Sequence, residues 1–334
     1  MARELSSRRL HAAVVYQPLK TQLRELWAVV QQEETRSRWL RTHWYETEAE
    51  DAGVAATRQA LADGASVVLA SGGDGTIRAV AEALRGTGVP LVIVPQGTGN
   101  LLARNLGMPL SDLKAAVRAA FHGEDRPIDL GLLTITREDG AESEHVFLVL
   151  AGMGLDARAI RATRSSLKKH LGWLAYVDAG VRTIIKDRPL RLHYSIEGSV
   201  AKPLTVYTVM IGNCGLMPGG VMLIPNAQID DGKLDVVALK PLGAFSWLRI
   251  WHKLGWEHGI LRRVRRGRSK IDLVNDTSSQ AVTYVQTRRF ALSTDQPEPI
   301  QLDGDDFGLV VAAACMVDPG ALTVRVLPEW EAVI

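Results

Sequence analysis

Short apolar runs alternate with amphipathic stretches through the first third of the chain. Residues 10–16 are an apolar run closed by Pro18, and residues 21–40 put Leu23, Leu26, Trp27 and Val30 on one helical face. A short strand is predicted over 43–47, then a helix over 54–62 that stops at Gly64. Residues 67–70 read as a buried strand stopped by Gly72 and Gly73, followed by a helix over 77–84 and a strand over 90–95. An amphipathic stretch over 110–121 opens on Ser111 and Asp112. Four strand–helix pairs in this order predict a parallel sheet with helices on both faces.

The pattern then changes period. Short β-rich runs separated by turn residues occur over 130–136, 145–150, 190–196, 205–211, 234–239, 270–274, 281–285, 289–292 and 309–313. Only 156–186 and 241–262 look helical, so an antiparallel β-sandwich or barrel is expected. The change falls near residues 126–129. It divides the chain into an α/β part over 1–128 and a β-sandwich part over 129–334, with the last residues free to return to the first part.

Composition narrows the class. The chain has 334 residues, more than one core usually serves, and 46% of them are hydrophobic, which suits a folded two-domain protein. Its formal net charge of +2 gives no reason to expect a specific nucleic-acid partner. Cys214 and Cys315 are too few for a disulfide scaffold or a CxxC metal site, which favours a reducing, cytoplasmic setting. No apolar run approaches the ~20 residues of a spanning helix, and the first residues lack the apolar segment of a signal peptide.

Candidate chemistry sits on two glycine loops. The first follows the strand that ends at Ala70 and reads Ser71, Gly72, Gly73, Asp74, Gly75, Thr76, Ile77. Glycines let a backbone approach a polyphosphate, and the helix start offers amide donors. A carboxylate at Asp74 repels phosphate unless Mg²⁺ or an ordered water lies between them; a tight βα turn that uses glycine for geometry alone is the alternative. The second loop reads Pro95, Gln96, Gly97, Thr98, Gly99, Asn100 and again opens a helix. In a parallel sheet both loops fall at the same carboxyl edge, where ligands of open α/β sheets bind.

These two loops, with Ala103 and Arg104, resemble the diacylglycerol kinase catalytic-domain family, which includes bacterial soluble lipid kinases and the sphingosine and ceramide kinases. The resemblance continues through Ile128-Asp129-Leu130-Gly131, Ala151-Gly152-Met153-Gly154-Leu155-Asp156, Lys168 to Tyr176 and Pro225 to Asp235, and closes at Gln301-Leu302-Asp303-Gly304-Asp305. It implies an ATP-binding α/β domain of the NAD kinase/diacylglycerol kinase type, a β-sandwich domain, and phosphoryl transfer to a lipid hydroxyl between them.

By the same resemblance, Gly72, Gly73, Asp74, Gly75, Thr76 and Ile77, with Thr47, Thr98 and Asn100, are expected at ATP, and Asp303 is expected to be the general base. Gln228 and Lys233 through carbonyls, and Asp231 through its carboxylate, resemble a structural Mg²⁺ site. A plain hairpin turn over 230–232 is the alternative. The chain also departs from the family pattern. The first loop reads Tyr16-Gln17-Pro18-Leu19-Lys20 where Asn-Pro and a Ser/Gly loop are usual, which leaves Gln17 and Lys20 as its phosphate contacts. Leu101 stands where many members have Asp, so Asp74 and Asp129 remain as the carboxylates of the water-bound Mg²⁺ network. Asp305 replaces the usual Glu.

Other signatures are weaker. Gly152-Met153-Gly154-Leu155-Asp156-Ala157 fits a dinucleotide fingerprint but lies in the β-rich half, and neither GxxxxGK[ST] nor GxSxG occurs. Trp247, Trp251 and Trp256 precede Arg262, Arg263, Arg265, Arg266 and Arg268, a combination suited either to an anionic membrane surface or to a core helix followed by a solvated loop. The expected ligands are ATP and Mg²⁺. The expected partners are a lipid substrate at a membrane surface and, as an option, a second copy of the chain. The leading expectation is a lipid kinase; a nucleotide- or lipid-binding regulator with a degenerate kinase site, and an NAD kinase-related activity, are the alternatives.

Overall fold

In the computed structural model, residues 10–154, 189–239 and 282–330 are described. The first strands are β1 (Ala12–Tyr16), β2 (His43–Glu46), β3 (Val67–Gly72) and β4 (Leu91–Pro95), all parallel in the order β2-β1-β3-β4. β3 is buried along its whole length, as a strand covered on both faces must be. The helices are α1 (Leu23–Ser37), α2 (Val54–Ala62), α3 (Asp74–Leu84), α4 (Leu101–Asn105) and α5 (Leu113–His122). α1 packs with α5 and α2 with α3. Asp112 accepts the Ala115 amide at 2.9 Å and so caps α5.

The second half supplies β5 (Glu124–Thr136), β6 (Glu142–Phe147), β7 (Leu150–Gly154), β8 (Leu190–Ile196), β9 (Lys202–Val206) and β10 (Thr208–Gly212). The two-residue strands β11 (Leu216–Met217) and β12 (Val221–Met222) pair with each other, and β13 (Leu234–Leu239), β14 (Val282–Thr287), β15 (Arg289–Leu302) and β16 (Asp305–Val326) complete the series. Apart from one parallel contact between β16 and β4, the pairings of this half are antiparallel.

Both halves share one sheet, because β16 serves both. It pairs with β15 at its start, with β5 along its end, and in parallel with β4 at Val324. The stretch over 126–129, where the pattern changes, lies within β5. Two hydrophobic clusters flank this spine: one around Leu69, Val92 and Leu130, the other around Phe147, Met153 and Leu302. The run over 145–150, read as one strand, breaks at Leu148 and Val149 between β6 and β7. The helices expected over 156–186 and 241–262, and the strand over 270–274, lie outside the described residues.

Candidate functional site

β3 ends at Gly72, Gly73 caps α3, and the second glycine loop follows β4, so both loops lie at the carboxyl edge of the parallel strands. They touch. A Cβ built on Gly97 would lie 2.9 Å from the Gly73 Cα, closer than real side chains come. Asp74 joins the loops further: its Oδ1 accepts the Leu101 amide at 2.6 Å and its Oδ2 the Asn100 amide at 3.0 Å. Asn100 sits in the left-handed region and exchanges two 2.9 Å hydrogen bonds with the backbone of Gly97. Asp74 is thus first a fastener for the second loop. Burial pushes its carboxyl above the ordinary range, the two amides oppose that, and the negative charge of Asp305 adds to it.

The first loop closes over the glycines. The Gln17 side-chain oxygen accepts the Lys20 amide at 2.7 Å, and Thr21 reaches back to Ser71 at the end of β3. Lys20 is thereby carried onto Gly73: a Cβ there would meet its Nζ at 2.9 Å. Lys20 and Gly73 come together, while the Gln17 side-chain oxygen shapes its own loop. Thr76 is buried under Gly72 and packs the loop, whereas Thr47 is buried with its methyl beside Gly53 at the start of α2. Thr98 is exposed.

Opposite the loops stands the turn between β15 and β16. Leu302 pairs with Asp305, leaving Asp303 (φ 49°) and Gly304 (φ 90°) as a two-residue type I′ turn, which Asp-Gly suits. The turn carries Asp303 to a site where its carboxylate is 5% exposed in residue terms and accepts three backbone amides: Leu148 at 2.8 Å on Oδ2, Val149 at 2.9 Å and Leu150 at 3.0 Å on Oδ1. The break between β6 and β7 is what frees those amides. Burial nevertheless raises the carboxyl to about 6; the three amides and the Arg78 guanidinium pull the other way. Oδ2, with one amide partner, keeps a lone pair for a further proton donor. Asp303 and Asp74 line the same open cleft, whose walls include Ile77, Leu101, Leu148 and Val149.

Asp129 is not in that lining. It is 3% exposed, its Oδ1 accepts the Gly320 amide at 2.8 Å and its Oδ2 the Gly232 amide at 2.7 Å. A bulge in β16 between Asp318 and Leu322 presents Gly320 to it. Its carboxylate is a junction between the 228–233 loop and β16. The 230–232 turn docks on Asp129 and does not join two paired strands, since β13 pairs with β10 and β14. Within it Asp231 Oδ1 accepts the Lys233 amide at 2.9 Å. Burial raises the Asp231 carboxyl, the Lys233 amide and charge oppose this, and Asp129 and Asp230 reinforce it. A cation beside Asp231 would relieve that crowding, and the carboxylate with neighbouring carbonyls is a hard-oxygen donor set. Among the described residues no group of three or more His, Cys, Asp or Glu side chains is arranged for a metal, so carbonyls would have to complete any such site.

Two residues have no counterpart in the sequence reading. Arg78, one helical turn beyond Asp74, approaches Asp305 at 3.7 Å. The buried Asn213 donates from Nδ2 to the Asp129 carbonyl at 2.9 Å and the Leu148 carbonyl at 3.0 Å, so it braces the loop under Asp303. A basic residue four positions after Asp74 was a visible signal for the first; nothing local marks the second. Trp247, Trp251, Trp256 and the five arginines between 262 and 268 lie outside the described residues. No helix among the described residues is long and apolar enough to cross a membrane.

The sequence matches the diacylglycerol kinase catalytic domain over residues 11–133 and the YegS C-terminal NAD kinase beta sandwich-like domain over residues 149–326. The chain belongs to the diacylglycerol kinase catalytic-domain family. A diacylglycerol kinase of Mycobacterium tuberculosis (strain ATCC 25618 / H37Rv) is 30% identical over 192 residues, 58% of this chain and 60% of that protein. One of Bacillus subtilis (strain 168) is 28% identical over 266 residues, 78% of each chain. Across the first curated relatives the chain spans between 53% and 60% of their length. The crystal structure of a diacylglycerol kinase from Bacillus anthracis str. Sterne shares the fold, with a TM-score of 0.66 over 97% of this chain and 99% of that one, at 16% identity. In this member of the family, Asp74 comes from the first matched region and Asp303 from the second, so the cleft needs both.

Proposed function

We propose that this chain transfers the γ-phosphoryl group of ATP to the hydroxyl of a lipid, diacylglycerol-like or sphingoid-like, in the cleft between its two halves. Residues 1–128 hold the nucleotide and residues 129–334 supply the lipid side, with β16 returning to the first half beside β4. The observation that carries this reading is Asp303, a buried carboxylate fixed by three amides across the cleft from a glycine loop. Asp303 Oδ2 takes the hydroxyl proton as the new O–P bond forms and the bond from the γ-phosphorus to its bridging oxygen breaks, leaving ADP. Lys20 and the amides of the Gly73 loop bind and orient the phosphates.

Asp74 and Asp303 face one cleft, and when ionised they would repel a triphosphate unless a cation compensated. Mg²⁺ fits there, with Asp74 the residue to hold it through water. When bound it neutralises charge on the transferring phosphoryl oxygens. A second, structural Mg²⁺ at Asp231 and the carbonyls of Gln228 and Lys233 is part of the same proposal. So is a cytoplasmic enzyme that meets its lipid at a membrane surface through Trp247, Trp251, Trp256 and the arginines that follow.

Leu101 favours a second reading, a nucleotide- or lipid-binding regulator, because it adds an apolar wall to the cleft instead of a carboxylate. Incubation with γ-labelled ATP, Mg²⁺ and a panel of lipids, NAD included, separates the two. Label on a lipid that disappears in Asp303→Asn supports the kinase; tight ATP binding with no labelled product supports the regulator.

A further inference from the structure

Arg78 is an anomaly by its burial. Its side chain is 12% exposed, yet its ionic partners stand at 3.7 Å (Asp305 Oδ2) and 3.8 Å (Glu82 Oε2), and Nε has no hydrogen-bond partner. The guanidinium lies 4.7 Å over the Phe307 ring, whose other neighbour is His145 at 4.8 Å. A buried arginine cannot relieve its desolvation by losing a proton, so something must favour the charge where it is. The site itself supplies the reason. Arg78 is rooted in α3, which opens on the glycine loop, while Asp305 and Phe307 begin β16, directly after the turn that carries Asp303.

We infer that Arg78 is a positioning residue for Asp303: it fastens the helix that opens on the phosphate loop to the hairpin that carries the carboxylate. The inference rests on the reading of Asp303 as the base. The charged and titratable groups facing Asp303 are Arg78 from α3, Asp74 across the cleft, Asp305 on its own hairpin, and the Cys214 thiol, which donates to the Leu148 carbonyl at 3.6 Å and which burial holds protonated. Among them Arg78 alone favours the ionised carboxylate, adding to the three backbone amides.

The test compares wild type with Arg78→Met, which keeps a long apolar stem on Phe307, and Arg78→Lys, which keeps the charge. The Asp303 carboxyl is titrated by ¹³C NMR, its signal assigned by its loss in Asp303→Asn, and the pH profile of kcat is recorded alongside. The midpoint should rise by about 1 pH unit in Arg78→Met and return most of the way in Arg78→Lys, with the acid limb of kcat moving equally and KM for ATP within about twofold of wild type. Phe307→Leu, which changes no charge but loosens the seat of the guanidinium, should raise the midpoint in the same direction. An unmoved midpoint in folded Arg78→Met, or in Phe307→Leu where Arg78→Met does not fold, overturns the inference. Full turnover in Asp303→Asn would instead overturn the base assignment, while the titration still reports on Arg78.

Discussion

Replacing Asp303 by Asn separates the chemistry of the cleft from its architecture, because the two amide acceptors of the carboxylate are not equivalent in Asn. The left-handed backbone at 303 tolerates Asn well. The carboxylate accepts Val149 and Leu150 on one oxygen and Leu148 on the other. Asn offers one acceptor oxygen, so its best rotamer keeps the first two and turns an NH₂ toward the Leu148 amide. One unsatisfied buried donor costs about 1–3 kcal/mol, a fall in Tm on the order of 5 °C. Loss of the proton acceptor should lower kcat by about 10²–10⁴, or roughly 3–5 kcal/mol of barrier, with KM for ATP nearly unchanged because the residue faces the acceptor.

The pH dependence gives a second signature. A base with a carboxyl near 6 is active when ionised, so wild-type kcat should fall about tenfold per unit below pH 6 and level off above it. The variant should be flat across that window. Rates are measured well below the lowered Tm, against a lipid that wild type phosphorylates, with calorimetry on the same samples. Near-wild-type turnover in a folded variant, or an acid limb that survives the substitution, refutes the role of Asp303. A large Tm loss with kcat intact would leave it a turn residue held by amides.

Gly73→Val should weaken ATP binding at least 100-fold in titration calorimetry with an unchanged circular dichroism spectrum, since even a Cβ displaces the Lys20 ammonium; unchanged affinity would reduce the loop to a turn. Asp129→Ala removes the acceptor of the half-exposed Gly232 and Gly320 amides and should cost about 1–2 kcal/mol in urea unfolding while sparing kcat at low temperature; a fall in kcat at full stability would place it in the catalytic group. Removing divalent ions should stop transfer, and Mg²⁺ should raise the Tm of wild type but not of Asp231→Ala; a wild type whose Tm ignores Mg²⁺ leaves the Asp231 turn without a metal.

Local signals were strong wherever a segment answers to its own pattern. The helix over 54–62 and the strands over 190–196 and 234–239 have the bounds that their periodicity and flanking turns predict. The glycine loops were legible for the same reason: Gly73, Gly97 and Asn100 carry their geometry in their residue types. The long strands were not. The β pattern of β15 is clear only over 289–292; Pro297 and Pro299 interrupt a regular ladder beyond it, and register shifts near those prolines carry the strand to Leu302. The β pattern of β16 is clear only over 309–313, whereas the strand runs to Val326 through a bulge between Asp318 and Leu322 that presents the Gly320 amide to Asp129. The stretch over 126–129, where the pattern changes, pairs with residues some 200 positions further on, which no local pattern can show.

The same distinction explains which site residues could be found. Asp74 and Lys20 act within reach of their own loops, and the spacing of those loops announces them. Asp303 looks like a residue of a tight turn, and it is one; what makes it more is the break at Leu148 and Val149, inside an apolar run that reads as one uninterrupted strand. No hydropathy pattern predicts that break, because its cause is a carboxylate about 150 residues away that takes the amides a continuous ladder would have used. The break in turn needs Asn213, whose Nδ2 bonds the Leu148 carbonyl, and Asn213 is oriented by the backbone of Asp129. A carboxylate held in this way is a property of three distant segments at once. The sequence motif marks the carboxylate; only the fold shows that the backbone opposite it has given up regular pairing to hold it.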